Sequence, residues 1–149
     1  MYNNILVPLD GSKRAEAILR HAEDLAGRYG ATVIFLRVVE SVPLIVGLEE
    51  TYAVLREEFE RRVKQAGSYL AALQEGFYEK GIEARTCVVH GSAVEAIIIE
   101  TAEREGADLI AMASHGRTGL SQVFYGSVAA GVLHRIDRPL LLIRSRNDE

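Results

Sequence analysis

Short aliphatic runs alternate with segments whose apolar residues recur every three and four positions, and this alternation limits the fold more than any other feature. The runs are NILVPLD (4–10), ATVIFLRVV (31–39), IEARTCVV (82–89), DLIAMA (108–113) and RPLLLIR (138–144). A short, nearly continuous apolar run suits a strand buried on both faces. Between the first two runs, Ala15, Ile18, Leu19, Ala22, Leu25, Ala26 and Tyr29 form one helical face. Ser12 is placed to cap that helix and Gly30 to end it. From about Thr51, the residues Leu55, Phe59, Val63, Ala66, Leu70, Leu73 and Phe77 predict a long amphipathic helix. Segment 41–50, with Pro43 and Gly47, reads as an apolar loop that covers something. SAVE (92–95) has the form of a capping box, opening a helix with Val94, Ile97, Ile98 and Ala102 on its face and a stop at Gly106. Val128, Val132, Leu133 and Ile136 face the last helix inward. The expected fold is therefore α/β: a Rossmann-like open parallel sheet of five strands, order 3-2-1-4-5, with helices on both faces and right-handed crossovers. No repeat or linker interrupts it, so residues 1–149 are expected to form a single domain.

Composition removes several function classes. With 48% hydrophobic and 26% charged residues the chain has ordinary globular values, which excludes a disordered or low-complexity class. A net charge of −4 provides no basic field for nucleic acid. Arg135, Arg138, Arg144 and Arg146 near the C-terminus read as a solvated surface. The single cysteine, Cys87, permits no intramolecular disulfide and reads as a buried structural thiol. His21, His90 and His134 have no metal-ligand spacing. No run has the length of a membrane span and MYNNILVPLD is not a signal peptide, so a cytoplasmic protein without membrane attachment is expected.

Two loops stand out. PLDGS follows the first strand, and SHGRTGLSQVFYGS follows the fourth. In open parallel sheets, ligands bind beyond the carboxyl ends of strands where the strand order reverses. The order 3-2-1-4-5 makes strands one and four neighbours at that reversal, so the two loops face each other. Gly116 and Gly119 permit positive φ and close approach of backbone N–H groups to a ligand. Gly126 and Ser127 open the last helix, whose N-terminus attracts anions. Taken singly, these residues suit turns and a plain N-cap; as a set at this place in the sheet they suit a polyphosphate. Neither G-K-[ST] nor G-x-G-x-x-G is present. Asp10 suits a turn cap and a ribose or adenine ligand equally, and His115 reads as a solvent-facing loop residue.

NNILVPLDGSKRAEAIL, ADLIAMASHGRTGLSQVFYGSVAAGVLHRIDRPLLLIR and the element order between them resemble the universal stress protein family, over essentially the whole chain. The nucleotide-binding branch carries G-x2-G-x9-G-[ST], which Gly116, Gly126 and Ser127 match in spacing, with Ala113 in place of the first glycine. The resemblance implies an ATP site, with ADP or AMP as alternates and Mg2+ or Mn2+ held mainly by the phosphates. By position, Pro8, Leu9 and Asp10 would lie along the adenosine and Val38 would offer backbone to adenine. Met112 and Ala113 would border the nucleotide, and Gly116, Arg117, Gly126, Ser127 and Val128 would surround the phosphates. At the end of a strand, Ala113 is expected to have extended backbone that alanine tolerates.

Three functions fit this reading. The first is a nucleotide-binding regulatory protein of the stress response. The second is an ATP-using enzyme, an ATPase or nucleotidyl transferase; PLDGSK lacks the H-x-G-H type signature of such transferases. The third is a nucleotide-free dimeric interaction module. Residues 114–127 contain no Asp, Glu or Lys, so hydrolysis is expected to be absent or very slow and no catalytic residue is assigned. The strand 139–144 is short, apolar and last in the sheet, which predicts a homodimer through that edge; the resemblance points the same way.

Overall fold

The computed structural model describes residues 1–40, 49–114 and 126–145. In chain order the elements are β1 (Asn4–Leu9), α1 (Lys13–Glu16), α2 (Leu19–Tyr29), β2 (Thr32–Val39), α3 (Glu49–Glu79), β3 (Ala84–His90), α4 (Val94–Arg104), β4 (Leu109–Ala113), α5 (Ser127–Arg135) and β5 (Leu140–Ile143). The strands form one parallel sheet in the order β3-β2-β1-β4-β5, as the alternation requires. The segment 41–48 lies outside the described residues. Among those described, no helix is long and apolar enough to cross a membrane.

Strand period two sorts the apolar runs onto two cores. Ile5, Val7, Leu9, Val33 and Phe35 pack on one face beneath Ala22 and Ala26 of α2 and Leu70 and Phe77 of α3. Leu6, Ile34, Leu36, Ile110 and Met112 pack on the other beneath Ile98 and Ala102 of α4 and Ala129 and Val132 of α5. The Phe35 and Phe77 rings meet edge to face at 5.0 Å between centroids. Deleting such side chains would cost about 2–5 kcal/mol each, because the surroundings only partly collapse.

The structure departs from the sequence reading in several local features. The first helix is interrupted at Ala17–Ile18, where backbone bonds run three residues back, Ala17 N–H to Arg14 O and Ile18 N–H to Ala15 O, both 3.3 Å. The SAVE capping box does not form: Ala93 occupies the N-cap of α4 without a side-chain cap, and Glu95 packs instead against Gly131 of α5. A glycine there lets the two helices approach, and that contact takes the Glu95 side chain away from the helix end. Leu133 is exposed, because the packed face of α5 is Ala129 and Val132. Tyr29 is also largely exposed, edge-on to Tyr2 at 5.4 Å. Arg138 is not a solvated cation: its guanidinium donates to Ala107 O at 2.8 Å and Asp137 Oδ1 at 3.0 Å, fixing the entry to β5. Arg146 lies outside the described residues. Cys87 is half-buried, and its thiol donates to Glu105 Oε1 at 3.3 Å.

Candidate functional site

β1 is paired with β2 from Asn4 to Leu9, but with β4 only at Ile5↔Leu109 and Leu6↔Ile110. Beyond those two pairs the C-terminal ends of β1 and β4 have no ladder between them. This is the reversal in strand order, and a cleft of about 580 Å³ opens there. Its floor is the ends of β1, β2 and β4; its walls are the N-terminus of α5 and one side of α3.

The first wall begins with a turn built by Asp10. Asp10 Oδ1 accepts from the Ser12 N–H at 2.9 Å and the Ser12 hydroxyl at 2.6 Å, and Ser12 Oγ accepts from the Ala15 N–H at 3.2 Å. Ser12 thus caps α1 as expected, and one oxygen of Asp10 holds the turn. Gly11 makes the turn possible with φ of +87°, which side chains strain to adopt. A Cβ at Gly11 would also collide with Nη1 of Arg37, so the β2 guanidinium packs directly on this loop. Arg37 lies over the Tyr69 ring of α3 at 5.4 Å. Burial, and then the Glu16 carboxylate nearby, push the Tyr69 hydroxyl above its ordinary pKa.

The second wall is the start of α5. Gly126 is its N-cap and supplies no side chain. The helix rule leaves the first N–H groups of α5 without intrahelical acceptors, and they carry the positive end of the helix dipole. The approach to this end is fixed by β4: the Ser114 N–H donates to Ile143 O at 2.8 Å, and Ser114 O accepts from the Gly126 N–H at 2.7 Å. Ala113, the last residue of β4, has no positive φ. Alanine therefore stands there without backbone strain, as expected.

Of the residues singled out from the sequence, Pro8, Leu9, Asp10, Val38, Ala113, Gly126, Ser127 and Val128 all line this one cleft. Met112 does not; the strand alternation turns its side chain into the core beneath α4 and α5. His115, Gly116, Arg117 and Gly119 lie outside the described residues. The cleft also takes in Arg37, Glu40, Arg62, Gln65, Tyr69 and Ser114, which the sequence reading missed. Arg37 had a signal, since it is the one charge inside TVIFLRVV. Arg62, Gln65 and Tyr69 had none, because their face of α3 reads as solvated until the helix is seen to rise beside the sheet.

This donor set fits an anionic ligand with a polar body: uncapped helix N–H groups on one wall, and a carboxylate turn with the Arg37 guanidinium and the Tyr69 ring packed beside it on the other. Among the described residues no group of three or more His, Cys, Asp or Glu is arranged to hold a metal ion.

Residues 1–144 match the universal stress protein family. The chain belongs to that family. Universal stress protein MJ0577 of Methanocaldococcus jannaschii is 29% identical over 99% of this chain and 98% of its own. Its solved structure superposes with a TM-score of 0.83 over 99% of each chain. Universal stress protein YxiE of Bacillus subtilis is 30% identical, covering 97% of this chain and all of its own length. A universal stress protein solved in complex with cAMP shares the fold at 24% identity, with a TM-score of 0.60 over 95% of this chain and 96% of its own. MJ0577 and the cAMP complex thus share the fold that brings the end of β1 and the start of α5 to one cleft here.

Proposed function

We propose that this chain binds ATP, with ADP and AMP as alternates, in the cleft between β1 and β4, and acts as a nucleotide-dependent regulatory protein of the stress response. The observation that carries the reading is the convergence of the Asp10–Ser12 turn and the uncapped start of α5 at the reversal in strand order. The α5 N-terminus, with Ser127 and Val128, receives the phosphates; Gly116 and Arg117 complete that end. Pro8, Leu9, Asp10 and Val38 border the adenosine, with Ala113 at the junction. Mg2+ or Mn2+ is carried by the phosphates, because among the described residues no group of three or more His, Cys, Asp or Glu is arranged to cage it. A ligand that binds only the native state raises the melting temperature by mass action. Millimolar ATP with Mg2+ is expected to do so for the wild type, and Gly126→Asp, which sets a negative charge on the helix N-terminus, is expected to abolish the shift. No shift for the wild type defeats the reading.

Hydrolysis is proposed to be absent or very slow. A fast phosphoryl transfer needs a base to orient water at the γ-phosphate. Asp10 Oδ1 is bound to the turn at the adenosine end, and the chain from Ser114 to Ser127 offers only His115 as a neutral-pH base. Turnover is measured with purified wild type beside His115→Ala and Asp10→Asn. A rate on the order of 1 s⁻¹ or more that collapses in either variant would establish an enzyme instead.

A further inference from the structure

Ser114 is 2% exposed and lines the cleft. Its hydroxyl has no hydrogen-bond partner among the described residues. Its backbone, by contrast, is fully engaged: the N–H is bound to Ile143 O, and the C=O receives the Gly126 N–H. Those two bonds fix where the side chain stands, between the end of β4 and the uncapped start of α5. A buried hydroxyl without a partner destabilises a fold, and such groups in native proteins call for an explanation. Thr101 is also buried and unpartnered, but it lies within α4, away from the cleft, so no ligand reaches it. Ser114 differs in lining the same cleft as Gly126, Ser127 and Val128 at the start of α5.

We propose that the Ser114 hydroxyl is a ligand-binding group that donates to the α-phosphate of the bound nucleotide. The inference rests on the nucleotide reading above. The α-phosphate follows from position: Ser114 adjoins Ala113 at the adenosine junction and is bonded through its carbonyl to Gly126, the residue that begins the phosphate end. A donor there serves the one phosphate that ATP, ADP and AMP have in common, and no described residue satisfies the hydroxyl in its place.

The test compares wild type with Ser114→Ala by calorimetric titration with the Mg2+ complexes of ATP and ADP, with AMP, and with 2′-deoxy-ATP and 3′-deoxy-ATP, together with melting of the unliganded proteins. A hydrogen bond to a charged group predicts a loss of about ten-fold or more in affinity. The expected loss is the same for ATP, ADP and AMP and persists with both deoxy analogues, while the unliganded variant melts no lower than wild type. Unchanged affinity overturns the proposal. So does a loss confined to ATP, which places the hydroxyl at the γ-phosphate, or a loss that disappears with a deoxy analogue, which places it on the ribose. A lower melting temperature of the unliganded variant assigns Ser114 a structural role. Failure of wild type itself to bind any of these nucleotides defeats the nucleotide reading instead, and is told apart by that control.

Discussion

Two residues make the residue scale concrete. Gly11 holds φ of +87° beneath the Arg37 guanidinium. Gly11→Ala is expected to lose about 1–2 kcal/mol of stability, measured by urea unfolding, chiefly from the left-handed backbone. Arg37 is a flexible side chain and can yield, so a second substitution, Arg37→Ala, is expected to recover only a minor part. Cys87 is the other. Burial, then the bond to Glu105, raises its thiol above the ordinary value, so less thiolate is present near neutral pH than in a free cysteine. Alkylation of the native protein at about pH 7 is expected to be slower than alkylation of the urea-unfolded chain. The sign for stability follows: a raised folded pKa favours the fold below the unfolded value, and that contribution is lost as pH rises through the folded value. The stability difference between wild type and Cys87→Ala is therefore expected to stay level up to the ordinary thiol value of 9.0 and to change only above it.

At the scale of elements, glycines distinguish helices that are free from helices that are packed. Gly27 in α2 and Gly67 and Gly76 in α3 meet nothing within 4 Å of an added Cβ. Alanine at each is expected to stabilise by about 0.5–1 kcal/mol, since glycine is the costlier residue in a helix interior. Gly131 in α5 is the counterexample, with Glu95 Cγ at 2.8 Å and Cβ at 2.9 Å from an added Cβ. Gly131→Ala is expected to destabilise despite its better propensity, because it wedges α5 from α4. The matched set, read by thermal melting, checks the α4–α5 contact: a stabilising Gly131→Ala would refute it. The same contact displaced the capping box that the pattern SAVE suggests, a case of packing overriding local chemistry.

At the scale of the molecule, the sheet leaves β5 as an edge, with all four residues Leu140–Ile143 partly exposed. An apolar edge with unpaired backbone groups invites a second strand. The chain is accordingly expected to be a homodimer through residues 139–144. Leu142→Lys or Leu142→Pro is expected to give a monomer by light scattering, and a wild-type monomer at micromolar concentration would refute the arrangement. The edge lies next to β4, and the N–H of Ser114, just after β4, is bonded to Ile143 O, so a dimer contact at this edge would share one strand pair with the cleft.

What the sequence determined by itself is what local chemistry and periodicity control. Continuous apolar strands, the three-and-four spacing from Leu55 to Phe77, Ser12 as a cap and Gly30 at φ of +65° are each decided by residues close in the chain. They are enough to reach the strand order and to bring Pro8, Asp10, Val38, Ala113 and Gly126 to one cleft. Tertiary structure decided the rest, because it depends on what stands opposite each residue. Met112 and Ala113 are adjacent in sequence, yet alternation sends one to the core and the other to the cleft. Glu95 leaves its helix end for Gly131, and Arg138 abandons solvent for Ala107 O. Arg62, Gln65 and Tyr69 become a cleft wall only because α3 rises beside the ends of the strands. Nothing in the letters around Ser114 marks its hydroxyl as buried and unpartnered; that follows from the bonds to Ile143 and Gly126, which lie far along the chain but adjacent in space.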